Sequence, residues 1–175
     1  MLKFVGVLLV LFAGTMIGLV QSARYAARPR QIRELLHAFQ RLETEIGYGR
    51  TPLPEALARI AAAIPKPLSA MFASVSASLA GEEARSGETV SECWERAVRD
   101  FWPATAMKQP EREAALRLGA TLGGSGREDQ LKHLKLAFHQ LQAEEATARE
   151  EQRKYEKLSR SLGMLGAALI VILMI

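Results

Sequence analysis

Two long runs without a charged residue lie near opposite ends of this 175-residue chain, at residues 4–20 and 162–175. Nearly every ionisable group lies between them. About 20 apolar residues in a helix cross the hydrocarbon core of a bilayer, and the first run with its small neighbours is long enough to do so. The sequence therefore predicts an N-terminal transmembrane helix over residues 1–23. A cleaved signal peptide, with Lys3 as its basic start and cleavage at residues 20–22, is the alternative.

The second apolar run is short for a membrane helix. Its fourteen residues at 1.5 Å each give about 21 Å, against a hydrocarbon core of about 30 Å. Snorkelling of Arg160 and local thinning of the bilayer reduce this mismatch. Because the run is apolar all round and ends without a polar residue, it is typical of a marginal transmembrane helix over residues 161–175. A core helix of a soluble domain is the alternative.

Basic residues flank both apolar runs on the side that faces the middle of the chain. They are Arg24, Arg28, Arg30 and Arg33 after the first run and Arg149, Arg153, Lys154, Lys157 and Arg160 before the second. Since cytoplasmic segments beside membrane helices are rich in Lys and Arg, we expect the middle of the chain in the cytoplasm and both termini across the membrane. Arginines at this place also favour a retained anchor over a signal peptide. Attraction to anionic lipid then explains the sequence pI of about 9.5.

The segment between the two runs has the periodicity of helices throughout. Apolar residues at three- and four-residue steps predict a first helix from Pro29 to Gly47. Thr89 and Glu92 form a capping box, in which each side chain accepts a backbone N–H of the other residue. No alternating pattern predicts a strand. Glycine, proline and this cap delimit four shorter helices, over residues 52–65, 67–81, 89–103 and 110–122. The prediction is an all-α, compact helical bundle over residues 24–141.

A single long helix is predicted for the rest of the chain. Residues 123–126 are a glycine-rich turn, and residues 127–175 contain no helix stop signal until the second apolar run. The helix therefore continues into the membrane. Over residues 142–160 it is charged on every side, which we interpret as a stalk between the bundle and the bilayer. Its acids, Glu144, Glu145, Glu150 and Glu151, are interpreted as solvated.

No set of residues has the spacing of a catalytic or metal site. His133 and His139 are six residues apart and are poor paired ligands, and with His37 they are interpreted as surface or interface histidines. Cys93, beside Trp94 on an apolar face, is interpreted as a buried structural thiol. We therefore predict no enzyme activity, no metal and no cofactor.

Three stretches carry a resemblance to a known family: residues 28–57, 126–138 and 154–174, which read RPRQIRELLHAFQRLETEIGYGRTPLPEAL, GREDQLKHLKLAF and KYEKLSRSLGMLGAALIVILM. Over essentially the whole chain the sequence closely resembles the stage III sporulation protein AB family of endospore-forming bacteria. That family is similar to the cytoplasmic F-domain of type II secretion and type IV pilus platform proteins, whose glycine-bounded turn and helix start are matched at residues 48–57. The chain has one such domain and two membrane segments, where the wider group has two and three.

The resemblance implies a scaffold in the secretion-like complex that links mother cell and forespore. The protein would lie in the outer forespore membrane, with its bundle in the mother-cell cytoplasm. It would couple a cytoplasmic ATPase, stage III sporulation protein AA, to other membrane proteins of the complex, and a homo-oligomer is compatible with this role. No nucleic-acid partner is expected. A basic, membrane-tethered nucleic-acid-binding protein, argued from the pI, and a membrane-associated enzyme are the alternatives.

Two sets of residues are candidate interaction sites. If the first helix and the turn after it bind the ATPase, the candidates are its charged positions off the apolar face, Arg30, Arg33, Arg41 and Arg50. A solvated face is the alternative. In the membrane, small residues four apart favour close packing of two antiparallel helices. These residues are Gly14, Gly18, Gly163 and Ala167.

Overall fold

The helix boundaries follow the glycines, prolines and caps of the sequence. A computed structural model describes the backbone of residues 2–48, 51–81 and 87–174, and the side chains of residues 23, 25–48, 51–81, 87–155 and 158. Within these ranges the regular structure is helical and contains no strand. The elements are α1 (Leu2–Tyr48), α2 (Leu53–Ala63), α3 (Leu68–Ala80), α4 (Val90–Phe101), a 3₁₀ turn (Trp102–Ala104), α5 (Gln109–Gly119) and α6 (Arg127–Met174). The predicted all-α bundle is confirmed.

Two local predictions match the structure closely. The backbone N–H of Thr89 donates to Glu92 Oε2 at 2.8 Å, and that of Glu92 donates to Thr89 Oγ1 at 3.3 Å. The capping box therefore starts α4, and the hydrogen bond from the Thr89 backbone holds the pKa of Glu92 below its usual range. Gly123, with φ of 79°, lies in the predicted turn before α6. A left-handed residue there favours glycine.

Pro29 lies inside α1, so the interpretation that it starts the first helix is wrong. A proline in a helix interior removes one backbone hydrogen bond and costs about 3 kcal/mol. The helix nevertheless continues because its residues here pack against the bundle: Arg28 is 4% exposed and Ile32 is fully buried. The α1 backbone therefore runs from the first apolar run into the bundle without a break.

The helices form a closed ring around an aromatic centre. Around this ring α1 packs on α6, then α5, α4, α3 and α2 follow, and α2 returns to α1. Trp94 of α4 is fully buried, and its Nε1 donates to the carbonyl oxygen of Ala115 at 2.9 Å. The edge of its ring meets Phe72 of α3 at 5.5 Å between centroids, and Phe39 of α1 lies at 6.5 Å. One side chain thus contacts three other helices.

The predicted transmembrane helices fall on residues whose side chains the structure does not describe. Among the described residues, none of the helices combines the length and the apolar character that crossing a membrane requires. Residues 1–22 and 161–175 lie outside those side chains. The division of the chain at residues 23, 141 and 160 therefore stays a prediction.

Gly119 provides a test of the packing around Trp94. A Cβ on Gly119 would overlap the indole ring of Trp94, which is held in place by Ala115 and by two neighbouring rings. We expect Gly119→Ala to destabilise the bundle by about 1–3 kcal/mol and to lower its Tm, because a well-packed core has no room for the methyl group. Thermal unfolding of the full chain in detergent, followed by tryptophan fluorescence, measures this. Gly124→Ala is the control, since a Cβ at Gly124 meets nothing within 4 Å. Equal Tm values for the two variants would contradict the packing described.

Candidate functional site

A buried arginine connects three helices at one end of the bundle. Arg28 of α1 is 4% exposed, and its Nε donates to Oε1 of Glu111 on α5 at 2.8 Å. Its Nη1 donates to Oε2 of Glu151 on α6 at 2.7 Å, and its Nη2 lies 3.4 Å from Oε2 of Glu144. One guanidinium therefore joins α1 to both α5 and α6. We call these residues, together with Lys108, the Arg28 cluster.

Glu111 links the Arg28 cluster to the start of α5. Its carboxylate is fully buried, and Oε2 accepts the backbone N–H of Lys108 at 2.9 Å. Backbone N–H groups at a helix start have no partner within the helix, so this bond satisfies one of them. Close by, Gln31 of α1 accepts the backbone N–H of Ala106 at 2.7 Å. Side chains of α1 and α5 therefore fix the connection that leads into α5.

Lys108 balances the charge at the solvent side of the cluster. Its Nζ lies 2.9 and 2.8 Å from the two carboxylate oxygens of Glu151. This hydrogen bond, with a smaller contribution from Arg28, holds the pKa of Glu151 below its ordinary value of 4.5. The stabilisation from Glu151 is therefore present above pH 4.5 and is lost as the pH falls through the lowered pKa. Two cations and three carboxylates give the cluster a net charge of −1.

The acids of α6 correct the prediction that they are solvated. That interpretation is wrong for Glu144 and Glu151, which pair with Arg28. Glu145 is also engaged, with Oε1 3.4 Å from Nε of Arg33. Glu150 is exposed, as expected. A helix that is polar on every side can pair with a partner through charge, and here that partner is α1 of the same chain.

The contacts between α1 and α6 share one antiparallel register. At its end nearest the two apolar runs, the ring of Tyr25 stacks on that of Tyr155, with centroids 3.6 Å apart and planes 21° apart. Stepping along α1 away from that end is matched by stepping backwards along α6. The successive pairs are Tyr25–Tyr155, Arg28–Glu151 and Arg33–Glu145.

The candidate docking arginines have different surroundings. The Arg30 side chain is 67% exposed, with Nε 3.7 Å from Glu34, while Arg33 lies at the contact between α1 and α6. Arg41 is exposed and forms no ion pair within the described part of the chain. Burial raises the pKa of Glu34, against the opposing effect of Arg30 and Arg33. Arg50 lies outside the described residues.

The remaining candidate residues show no assembled reactive site. His37, His133 and His139 are all exposed, as interpreted. Cys93 is 2% exposed, as interpreted, with Sγ 3.5 Å from a carboxylate oxygen of Glu88. Among the described residues, no group of His, Cys, Asp and Glu could hold a metal ion. The four small residues proposed to pack in the membrane lie outside the described side chains.

Comparison with known proteins decides the family. The family model of stage III sporulation protein AB matches residues 3–175. A curated relative, stage III sporulation protein AB of Bacillus subtilis (strain 168), is 38% identical over 174 residues, which cover 99% of both chains. This chain belongs to the stage III sporulation protein AB family. A solved structure of a stage III sporulation protein AB matches with a TM-score of 0.66 and 38% identity, covering 73% of this chain and 98% of the solved one. The predicted resemblance is confirmed, and it supports a role in sporulation.

The sequence analysis missed the buried role of Arg28 and Glu111. Arg28 was read only as one of the basic residues beside the membrane, and Glu111 was not singled out. A signal was present, because Arg28 lies four residues before Ile32 on the buried stripe of α1. Glu111 likewise lies three residues before Ala114 on the buried stripe of α5. A charged residue on a buried stripe requires a buried counter-charge.

Removing Arg28 tests whether the cluster holds the three helices together. Arg28→Met would leave Glu111 buried without its cation, and breaking a buried ion pair in this way costs about 3–5 kcal/mol. Arg30→Met, two residues away on the exposed side, should cost less than about 1 kcal/mol. Urea unfolding of the full chain in detergent, followed by tryptophan fluorescence, gives both values. In the double variant Arg28→Met/Glu111→Gln, loss of the stranded charge should restore part of the stability. Similar losses for Arg28→Met and Arg30→Met would contradict this role.

Proposed function

We propose that the chain is a non-enzymatic, membrane-anchored scaffold of the sporulation complex that links mother cell and forespore. It couples the cytoplasmic ATPase of that complex, stage III sporulation protein AA, to the channel proteins in the membrane. It lies in the outer forespore membrane, with its helical bundle in the mother-cell cytoplasm and both termini on the opposite side. Membership of the stage III sporulation protein AB family supports this placement in sporulation.

The observation that carries the proposal is the adjacency of Tyr25 and Tyr155. Their stacked rings bring α1 and α6 together at the end of the bundle from which both helix backbones continue into the apolar runs. Both runs therefore leave the same end of the bundle. A cytoplasmic domain held by two membrane helices requires this arrangement. The charge-rich interior supports a scaffold over an enzyme, since Arg28 and Glu111 are occupied in joining helices.

Co-purification with the ATPase tests the scaffold role. We expect the tagged full-length protein, extracted in detergent, to retain the co-produced ATPase at low salt. Replacing Arg30, Arg33, Arg41 and Arg50 together by glutamate should weaken this association, and the weakening should itself depend on salt because it is electrostatic. Lys132→Glu/Lys135→Glu, on the exposed surface of α6, is the control and should retain the ATPase. If the unaltered protein binds duplex DNA tightly and retains no ATPase, the nucleic-acid alternative replaces the scaffold.

The register of α1 and α6 supports the proposed packing of the two membrane helices. Seven residues before Tyr25 lies Gly18, and seven residues after Tyr155 lies about residue 162. A further four residues in each helix bring Gly14 opposite about residue 166. These positions are within one residue of Gly163 and Ala167, the partners that the spacing of small residues predicts. Side-chain contacts in the bundle and small-residue spacing thus favour the same antiparallel hairpin.

Disulfide crosslinking in membranes tests this hairpin. In a Cys93→Ser background, we expect the cysteine pairs Gly18→Cys/Gly163→Cys and Gly14→Cys/Ala167→Cys to crosslink, because small residues allow the two backbones to approach closely. Met16→Cys/Leu165→Cys, half a helical turn away on both helices, is the matched control and should not crosslink. Equal crosslinking of all three pairs would contradict a fixed hairpin.

A further inference from the structure

A groove runs along the outer surface between α1 and α2. Its wider part has a volume of about 460 Å³, and a smaller depression of about 160 Å³ adjoins it. Arg41 and Thr44 line both parts, so the two are continuous. The residues of α1 that line the groove are Glu34, His37, Gln40, Arg41, Thr44 and Glu45. We call it the α1–α2 groove.

The length and walls of the α1–α2 groove suit a short helix. From Glu34 to Glu45 the groove follows α1 for about 16 Å, which is three helical turns. The opposite wall carries Ile60, Ala63 and Ile64. One wall is therefore polar and the other aliphatic, which matches the two faces of an amphipathic helix.

The charge of the groove is left uncompensated at one point. Glu34 lies 3.7 Å from Arg30, and Glu45 lies 3.8 Å from Arg59. Arg41, between them, is exposed and has no ion pair with any described residue. A carboxylate brought to Arg41 would supply the missing counter-charge.

We propose that the α1–α2 groove binds an amphipathic helix of a protein partner, with a carboxylate of that helix on Arg41. The aliphatic side chains of the bound helix pack on Ile60 and Ile64. This inference rests on the proposed scaffold role and assigns the surface through which that role is exercised.

The surroundings of Arg41 favour a protein partner over lipid or nucleic acid. Arg41 lies sixteen residues from Tyr25, about 24 Å along α1 from the end that leads into the first apolar run. Lipid headgroups at that end are therefore out of reach. A nucleic acid needs several cations along its backbone, whereas this groove also presents the carboxylates of Glu34 and Glu45.

Site-specific photocrosslinking locates the occupant. The full-length protein is co-produced with the ATPase and the membrane proteins of the complex, with benzoylphenylalanine in place of Thr44. The control places it at Ala73, an exposed residue of α3 outside the groove. We expect Thr44→benzoylphenylalanine to crosslink one of these proteins at a helical segment that carries Asp or Glu within one turn of the linked residue. The control should not give that product.

Charge reversal then tests Arg41 itself. Arg41→Glu should weaken association with the crosslinked protein by about tenfold or more, because attraction becomes repulsion. Arg41→Lys should retain most of the affinity. The matched control is Arg99→Glu, an exposed arginine of α4, which should bind as the unaltered protein does. Replacing the identified carboxylate of the partner by lysine should restore binding to Arg41→Glu.

The outcomes separate this inference from the scaffold role. If the ATPase or a membrane protein co-purifies but neither Thr44 nor Arg41 affects the association, the groove proposal is wrong and the scaffold role stands. Crosslinking to a second copy of this chain, or to lipid, also overturns the assignment. If no protein of the complex is retained, both proposals are rejected.

Discussion

Burial of one guanidinium, that of Arg28, constrains how the bundle is assembled. Removing a charged group from water costs several kcal/mol, and only well-placed counter-charges offset this. For Arg28 the counter-charges come from Glu111 on α5 and from Glu144 and Glu151 on α6. These helices cannot move relative to α1 without leaving buried charges unpaired. The Arg28 cluster therefore specifies a single arrangement of α1, α5 and α6, in a part of the bundle where α6 offers few large apolar side chains.

The same constraint separates two roles along α1. Successive residues of an α-helix are 100° apart, so Arg28 and Arg30 face nearly opposite directions. Arg28 faces the other helices, whereas Arg30 and Arg41 share the exposed side. Basic residues that look equivalent as a cluster beside a membrane thus have different functions. One holds the helix in the bundle, and the others remain available to a partner.

Much of the fold could be predicted because its boundaries depend on local chemistry. The cap at Thr89 and the left-handed glycine at residue 123 act within a few residues, and both are visible in the sequence. The Arg28 cluster could not be predicted in the same way, because its partners Glu111 and Glu151 are 83 and 123 residues away along the chain. Periodicity showed that Arg28 lies on a buried stripe, but it could not choose among the many carboxylates. Pro29 was misplaced for a related reason, since packing of α1 against distant helices offsets the cost of a proline inside it.

The position of the Arg28 cluster has a mechanical consequence for the proposed scaffold. Arg41 and Arg28 are thirteen residues apart on one continuous helix, a distance of about 20 Å. The cluster therefore lies between the α1–α2 groove and the proposed membrane segments. A partner that pulls on the groove displaces α1, and the ion pairs of Arg28 carry that displacement to α6. Because both helices continue into the apolar runs, the two membrane segments would move as a pair. A buried ion pair suits this purpose better than apolar packing alone, since sliding by one residue would separate the charges.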